Sequence, residues 1–531
     1  MKKIFIVLVI AFSLFTLASC HGAKEKSGFD VPEEFDVNKE YNITFWAKND
    51  SNIVQKNIYK NTIERFNEYY PNIHVTIQNY SDYTKIYNDV IKNISTNTTP
   101  NVCITYPDFV ATYIEGDNVV VPLDDLMNDS KFGFGGSSIL YPSIQRSDLI
   151  DKFIDELIID GMYYAIPFVR SSEATYINED IVKELGFSIP DVLTWDFVWE
   201  VCEKAKEAHP EKTFIPMIYK STDNMFIQMA KQRGIDFTTE DGDILLFNDG
   251  SKELLKELAV YGLNNYYDTF KRVSYPGNFF NAGNCIFAID STAGATWIGS
   301  DAPLMDIHES DVKQFTTVVR TVPQTDENNL KMISQGPSIC IFNKEDNDEV
   351  LASWIFAQFL LNDETQISYA KTEGYVPVTK TATNSSDYQD YLSRGGEDND
   401  TYYKVKIDAS KLVIENTENT FITPVFNGSS LVRSASGELI ETTLQSVKSK
   451  SYEDSDAWFE KLFSETSVLY KLDELSNNRE LGELPSTSKI LLISLGSIWV
   501  LIGGYYLLVF IKNKKKKNQI NEGKLDWFFG V

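Results

Sequence analysis

The sequence predicts an α/β protein folded as two lobes, with one further helix near its C-terminus that crosses a membrane. Three observations carry that expectation. Strand-like and helix-like periodicities alternate from Tyr41 onward, the segment 41–475 is too long for a single hydrophobic core, and an uncharged apolar run begins at Ile490 and ends at Ile511.

The elements follow in order. Tyr41, Ile43 and Phe45 alternate with Asn42 and Thr44 as a strand, and Ile58, Ile63, Phe66 and Tyr70 then recur at near-helical spacing up to Pro71. Ile73, Val75 and Ile77 alternate again, 87–94 reads as a helix and 102–106 as a strand, which together make βαβ units and a largely parallel sheet. A second run of the same kind starts after Ser171. There Thr194 is placed to cap a helix whose Trp195, Val198, Trp199, Cys202 and Ala205 share one face. Leu351, Trp354, Ile355 and Phe359 line another helix before the loop Glu373-Gly374-Tyr375-Val376-Pro377. Residues 384–400, rich in Ser, Asn, Asp and Gly, read as a surface loop, and 476–489 as a stalk before the membrane. Trp46 and Trp195 read as core.

The two ends fix the compartment. Lys2 and Lys3 followed by apolar residues 4–18 have the form of a secretory signal. It closes on Leu17-Ala18-Ser19-Cys20, which resembles the bacterial lipobox, whose cysteine is acylated and becomes the new N-terminus. The expectation is a signal peptide over 1–19 and a polar tether over 20–40 lipidated at Cys20. At the other end 490–511 would span about 33 Å as a helix, enough to cross a bilayer core. Lys512 and the four lysines 514–517 follow directly, so the tail 512–531 is expected in the cytoplasm and the ectodomain outside the cell.

The formal net charge is −27, and since both termini are basic the region between them is more acidic still. That balance argues against nucleic acid or an anionic membrane face as the main partner. Cys103, Cys202, Cys285 and Cys340 are far apart in apolar surroundings, so buried reduced thiols are expected, and their spacing suits no metal. His21, His74, His209 and His308 are equally scattered, and Asp124-Asp125 after a Pro-Leu pair reads as a helix start. No Gly-x-x-x-x-Gly-Lys loop occurs in the sequence, so ATP hydrolysis would belong to another subunit. No enzyme activity, cofactor or metal is expected.

Five landmarks, in order, resemble the extracellular solute-binding proteins of ABC importers that take sugars, oligosaccharides and glycerol phosphate. They are Ile43-Thr44-Phe45-Trp46; Ile166-Pro167-Phe168 leading to Tyr176-Ile177-Asn178; Thr194-Trp195; Phe280-Asn281-Ala282-Gly283; and Gly374-Tyr375-Val376-Pro377. The resemblance implies a periplasmic-binding-protein-like fold, two α/β lobes joined by hinge strands and closing on a ligand between them. Lobe 1 would hold 41–170 and 330–380, and lobe 2 would hold 171–329 and 381–475.

Within that family the glycerol-phosphate binders look most similar, and their ligand contacts map onto Tyr83, Ser171, Ser291, Gly336, Tyr375 and Arg433. Their acidic polyol contact falls on Pro107, with Asp108 beside it as the substitute. Trp297 lies where sugar-binding relatives stack a pyranose ring. An arginine fork, hydroxyls and a backbone amide suit phosphate or sugar oxygens. The implied function is a receptor that delivers a carbohydrate or sugar-phosphate ligand to ABC permease subunits. The alternative is a membrane-held sensor or surface-interaction protein reusing the fold, motivated by the C-terminal span.

Overall fold

The computed structural model describes residues 28–49, 53–239, 242–273, 275–477 and 486–525. The signal-like segment with Cys20, most of the expected stalk and the last residues of the tail lie outside the described residues. Gly28–Asn477 forms one compact unit, and the C-terminal helix is not part of it.

Lobe 1 opens with β1 (Tyr41–Lys48), α1 (Ile53–Tyr69), β2 (Ile73–Tyr80), α2 (Tyr83–Ile94) and β3 (Val102–Thr105), the alternation that the sequence predicts. The strand β1 runs parallel to β2 from Tyr41↔Ile73 to Lys48↔Tyr80 and parallel to β3 on its other side. After α3 (Pro107–Tyr113) the chain reaches β4 (Ile166–Pro167) and crosses over at β5 (Val169–Arg170).

Lobe 2 then runs through β6 (Glu173–Asn178), α4 (Trp195–Ala208), β7 (Met217–Tyr219), α5 (Thr222–Arg233), α6 (Asp249–Leu263), β8 (Tyr267–Thr269), α7 (Pro276–Asn281), β9 (Phe287–Ser291) and β10 (Thr317–Thr321). As expected, the Thr194 hydroxyl caps α4 by accepting from Phe197 N, and Trp195, Val198, Trp199, Cys202 and Ala205 are buried.

The chain returns through β11 (Met332–Ile333) and β12 (Ser338–Ile341), which completes the lobe 1 sheet in the order β2-β1-β3-β12-β4. The lobe 2 sheet has the order β8-β7-β9-β6-β10. Lobe 1 gains α8 (Asn347–Phe359), apolar on all sides and buried from Val350 to Phe359, then α9 (Asp363–Ala370) and β13 (Val376–Pro377). The remaining elements are α10 (Lys380–Asn384), α11 (Ser386–Ser393), α12 (Lys404–Glu415), β14 (Thr420–Phe421), α13 (Ser429–Ser449) and α14 (Asp456–Leu469). Three crossings therefore link the lobes. Ser171 and Gln335 exchange backbone hydrogen bonds of 2.7 and 2.9 Å, and β11 pairs in parallel with β14.

Three sequence expectations change. Folding begins before Tyr41: Phe29 is buried in the lobe 1 core with Val31 and Phe35 against it, and Asp125 accepts from Phe29 N at 2.9 Å. The polar stretch after 384 is not simply a loop, because Tyr388, Tyr391 and Leu392 sit at helical spacing and bury one face of α11. That face packs with Ile367 and Ala370 of α9, which puts 380–393 with the lobe 1 helices, whereas α12 packs largely on lobe 2.

All four described cysteines are buried and free, as the sequence suggests. The C-terminal helix α15 (Ser486–Leu525) contains the stretch Lys489–Lys515, long and apolar enough to cross a bilayer.

Candidate functional site

A cavity of 320 Å³ opens between the lobes, the size of a small-ligand pocket. Lobe 1 supplies Tyr106 to Phe109, the turn that leaves the C-terminal end of β3 and starts α3, together with Glu156. Such strand ends are where open α/β sheets present ligand-binding loops. The second crossing contributes Ser334, Gln335 and Gly336, and the segment after β14 contributes Ile422, Thr423 and Val425. Lobe 2 adds Asp223 from the first turn of α5, and Ser430, Arg433 and Ser434, which share a face of α13 because they are three and four residues apart.

Arg433 is the centre of the polar contacts. Its Nη2 donates to Asp223 Oδ2 at 3.0 Å and to Asn224 Oδ1 at 2.5 Å, its Nη1 donates to Thr423 Oγ1 at 3.2 Å, and its Nε lies 3.8 Å from Asp108 Oδ2. Burial works against its charge, but Asp223 and Asp108, with Glu173 behind, raise its pKa overall. Asp108 also accepts from the Ser429 hydroxyl at the first turn of α13. A lobe 1 carboxylate thus occupies the positive end of a lobe 2 helix, where an anion is favoured.

Behind Arg433 the lobe 2 floor is a buried network. Tyr219 Oη donates to Glu173 Oε2 at 2.5 Å and Asn224 Nδ2 donates to Glu173 Oε1 at 2.9 Å. Burial pushes the Glu173 pKa up to about 8, against the lowering effect of those two hydrogen bonds. On the lobe 1 side Arg170 is fully buried and its Nε lies 3.1 Å from Glu156 Oε2. The Arg170 fork is otherwise spent on the carbonyls of Phe153, Val169 and Pro337 and on the Ser338 hydroxyl. Burial raises the Glu156 pKa, and Arg170 partly opposes that rise. A second cavity of 810 Å³ adjoins the first along Glu156 and the Ile422–Val425 segment.

Of the residues singled out from sequence, Asp108, Gly336 and Arg433 come together on this wall. Tyr83 is one ring removed, tilted against Tyr106 with centroids 4.6 Å apart. Ser171 is a hinge residue held by Gln335, and the Ser291 hydroxyl accepts from Ala293 N at the start of a short helix. Tyr375 is buried beside Tyr369, and Trp297 is half-buried with its carbonyl accepting from Asn281 Nδ2. These five are not on the cavity wall. Glu156, Asp223, Tyr106 and Ser334 are on it and were not singled out. Ser334 and Asp223 stood within reach of sequence reasoning, one two residues before Gly336 and the other opening a helix after a lobe 2 strand.

The family model for bacterial extracellular solute-binding proteins matches residues 61–394. Three Brucella proteins, each carrying the name of a binding protein, are 23% identical over 294 residues, 54% of this chain and 64% of theirs. The chain thus spans less than two thirds of the length of these curated relatives. An arabinooligosaccharide-binding protein of Halalkalibacterium halodurans is 34% identical over 116 residues, 21% of this chain and 25% of that one. Among solved structures, the sugar-binding protein MalE from Xanthomonas citri aligns with a TM-score of 0.61 at 16% identity, covering 83% of this chain and all of that one. UgpB from Mycobacterium tuberculosis, in complex with glycerophosphocholine, aligns with a TM-score of 0.59 at 16% identity, covering 80% and 98%. At such identities the likeness shows the two-lobe fold.

Proposed function

The chain belongs to the bacterial extracellular solute-binding proteins, and from that membership we propose that it captures a carbohydrate-type solute between its lobes and delivers it to the permease of an ABC importer. Members of this family bind their solutes and do not transform them. The observation that carries the reading is the cavity walled by both lobes and the hinge, where Asp108 of one lobe meets Arg433 and Ser429 of the other. A ligand that replaces or bridges such contacts stabilises only the closed arrangement, which a transporter can then distinguish from the open one.

The lining favours hydroxyl-rich carbohydrate over a phosphate ester. Arg433 is already held by Asp223 and flanked by Asp108, and the anion position at the start of α13 is taken by Asp108. A phosphate would have to displace these carboxylates, whereas sugar hydroxyls can donate to them and accept from Arg433. The same reading has Cys20 acylated, α15 crossing the cell membrane with its lysines in the cytoplasm, and the ectodomain outside. Two anchors would keep the receptor at high local concentration beside its transporter.

Calorimetric titration of the full chain in detergent with neutral sugars, short oligosaccharides and glycerol 3-phosphate tests the reading. Saturable binding of a neutral carbohydrate is expected, with Arg433→Ala weakening it by about 1.5–3 kcal/mol, the value of a charge-assisted hydrogen bond. No binding across the panel overturns it.

A further inference from the structure

The lobe 1 ends of the strands that run between the lobes meet at one buried carboxylate. Glu156, in the short turn Asp155–Leu157, is 6% exposed, and Arg170 of β5 on the first crossing is fully buried with its Nε 3.1 Å from Glu156 Oε2. From the second crossing the Ser334 hydroxyl donates a hydrogen bond to Glu156. Lys152 completes the set: its charge acts on Glu156, and its Nζ donates to Thr420 O of β14 at 3.1 Å. Burial works against the Glu156 charge, whereas Arg170, Ser334 and Lys152 all favour it. The Arg170 guanidinium extends the tie, donating to Pro337 O at 3.1 Å and to the Ser338 hydroxyl at 3.4 Å, where β12 begins.

On the lobe 2 side the same strands are held by neutral groups. Gln228 of α5 brackets β11, its Nε2 donating to Lys331 O and its Oε1 accepting from Ile333 N at 2.9 Å. The Ser172 hydroxyl donates to Ile333 O at 2.8 Å. Between the two sets of anchors lie Ser171 on one strand and Gln335-Gly336 on the other. A hinge is a few residues that absorb a change in backbone angle between bodies that keep their shape.

We propose that Glu156 is the positioning residue of the hinge: with Arg170, Ser334 and Lys152 it ties both crossings and β14 into one block with lobe 1, so that opening and closing bend the chain at Ser171 and at Gln335-Gly336. The inference goes beyond the solute-receptor reading and does not depend on which solute the cleft takes. Glu156 also lines the cavity, so the residue that fixes the hinge is one that a solute in the cleft meets. Removing its charge leaves Arg170 buried and unpaired, which loosens every strand that the pair ties together.

Hydrogen–deuterium exchange of the unliganded full chain in detergent tests this, read at peptides covering 169–173, 332–338 and 418–423 with β1 and β7 as references. Glu156→Gln keeps the shape of the side chain and is expected to speed exchange in the three hinge peptides at least about tenfold, while β1 and β7 keep their wild-type rates, as in local rather than global opening. Lys152→Met leaves the Glu156–Arg170 pair in place and removes one arm, so a smaller acceleration, about threefold, is expected at 332–338 and 418–423. If Glu156→Gln folds, it decides; if it does not, Lys152→Met decides. Wild-type rates at the hinge peptides in the deciding variant, or an equal acceleration in β1 and β7, overturn the proposal.

Discussion

Asp108 comes from lobe 1 yet stands at the first turn of α13 in lobe 2, close to Arg433, so the polar contacts of the cleft are shared between lobes residue by residue. Glu173 beneath them gives a measurable signature. An ordinary glutamate titrates near 4.5, and burial raises Glu173 to about 8. The folded form therefore keeps a proton that the unfolded chain releases between those values, so stability is lost as pH rises through that window. The slope reaches at most about 1.4 kcal/mol per pH unit. Urea unfolding of Glu173→Gln should be flatter than wild type from pH 5 to pH 8, and parallel profiles would contradict the assignment. At this scale the sequence was partly legible. Asp108, Gly336 and Arg433 could be placed through ordered landmarks, each in a local motif. Glu156, between Ile154 and Leu157, looks like any acid in an apolar stretch, and only the fold shows that Arg170 holds one of its oxygens on the wall of a cavity.

Among the elements, one hinge crossing and one contact between the lobes each depend on a glycine, for separate reasons. Gly336 has φ +147°, and a Cβ there would meet Val169 O at 2.2 Å, so the crossing at Gln335-Gly336-Pro337 tolerates no side chain. Gly374, before β13 of lobe 1, faces Thr292 just after β9 of lobe 2, and a Cβ would lie 2.0 Å from the Thr292 carbonyl. Gly374→Ala should act as a wedge that holds the lobes apart. Small-angle scattering is expected to show a larger radius of gyration with carbohydrate affinity reduced at least about tenfold, since binding draws on a closed form made scarcer. An unchanged radius and affinity would show that this contact does not limit closure. The repeating strands and helices were readable because period-2 and helical patterns follow from which face each element buries. The helix α11 was missed because its polar composition resembles a loop, and its three apolar residues become a face only against α9.

At the scale of the whole molecule, two α/β sheets, three crossings and a cavity between the lobes make a solute-binding protein whose candidate site is assembled from distant parts of the chain: 106–109, 156, 223, 334–336 and 422–434. Length and alternation foretold two lobes, but no local pattern could show that these five segments converge. Hydrogen–deuterium exchange of the full chain, with and without a saturating carbohydrate ligand, reads all of them at once. Ligand should slow exchange together at 106–109, at 334–336 and over the first turns of α13, in both lobes and the hinge. Protection confined to one lobe, or lying away from these segments, would contradict capture between the lobes.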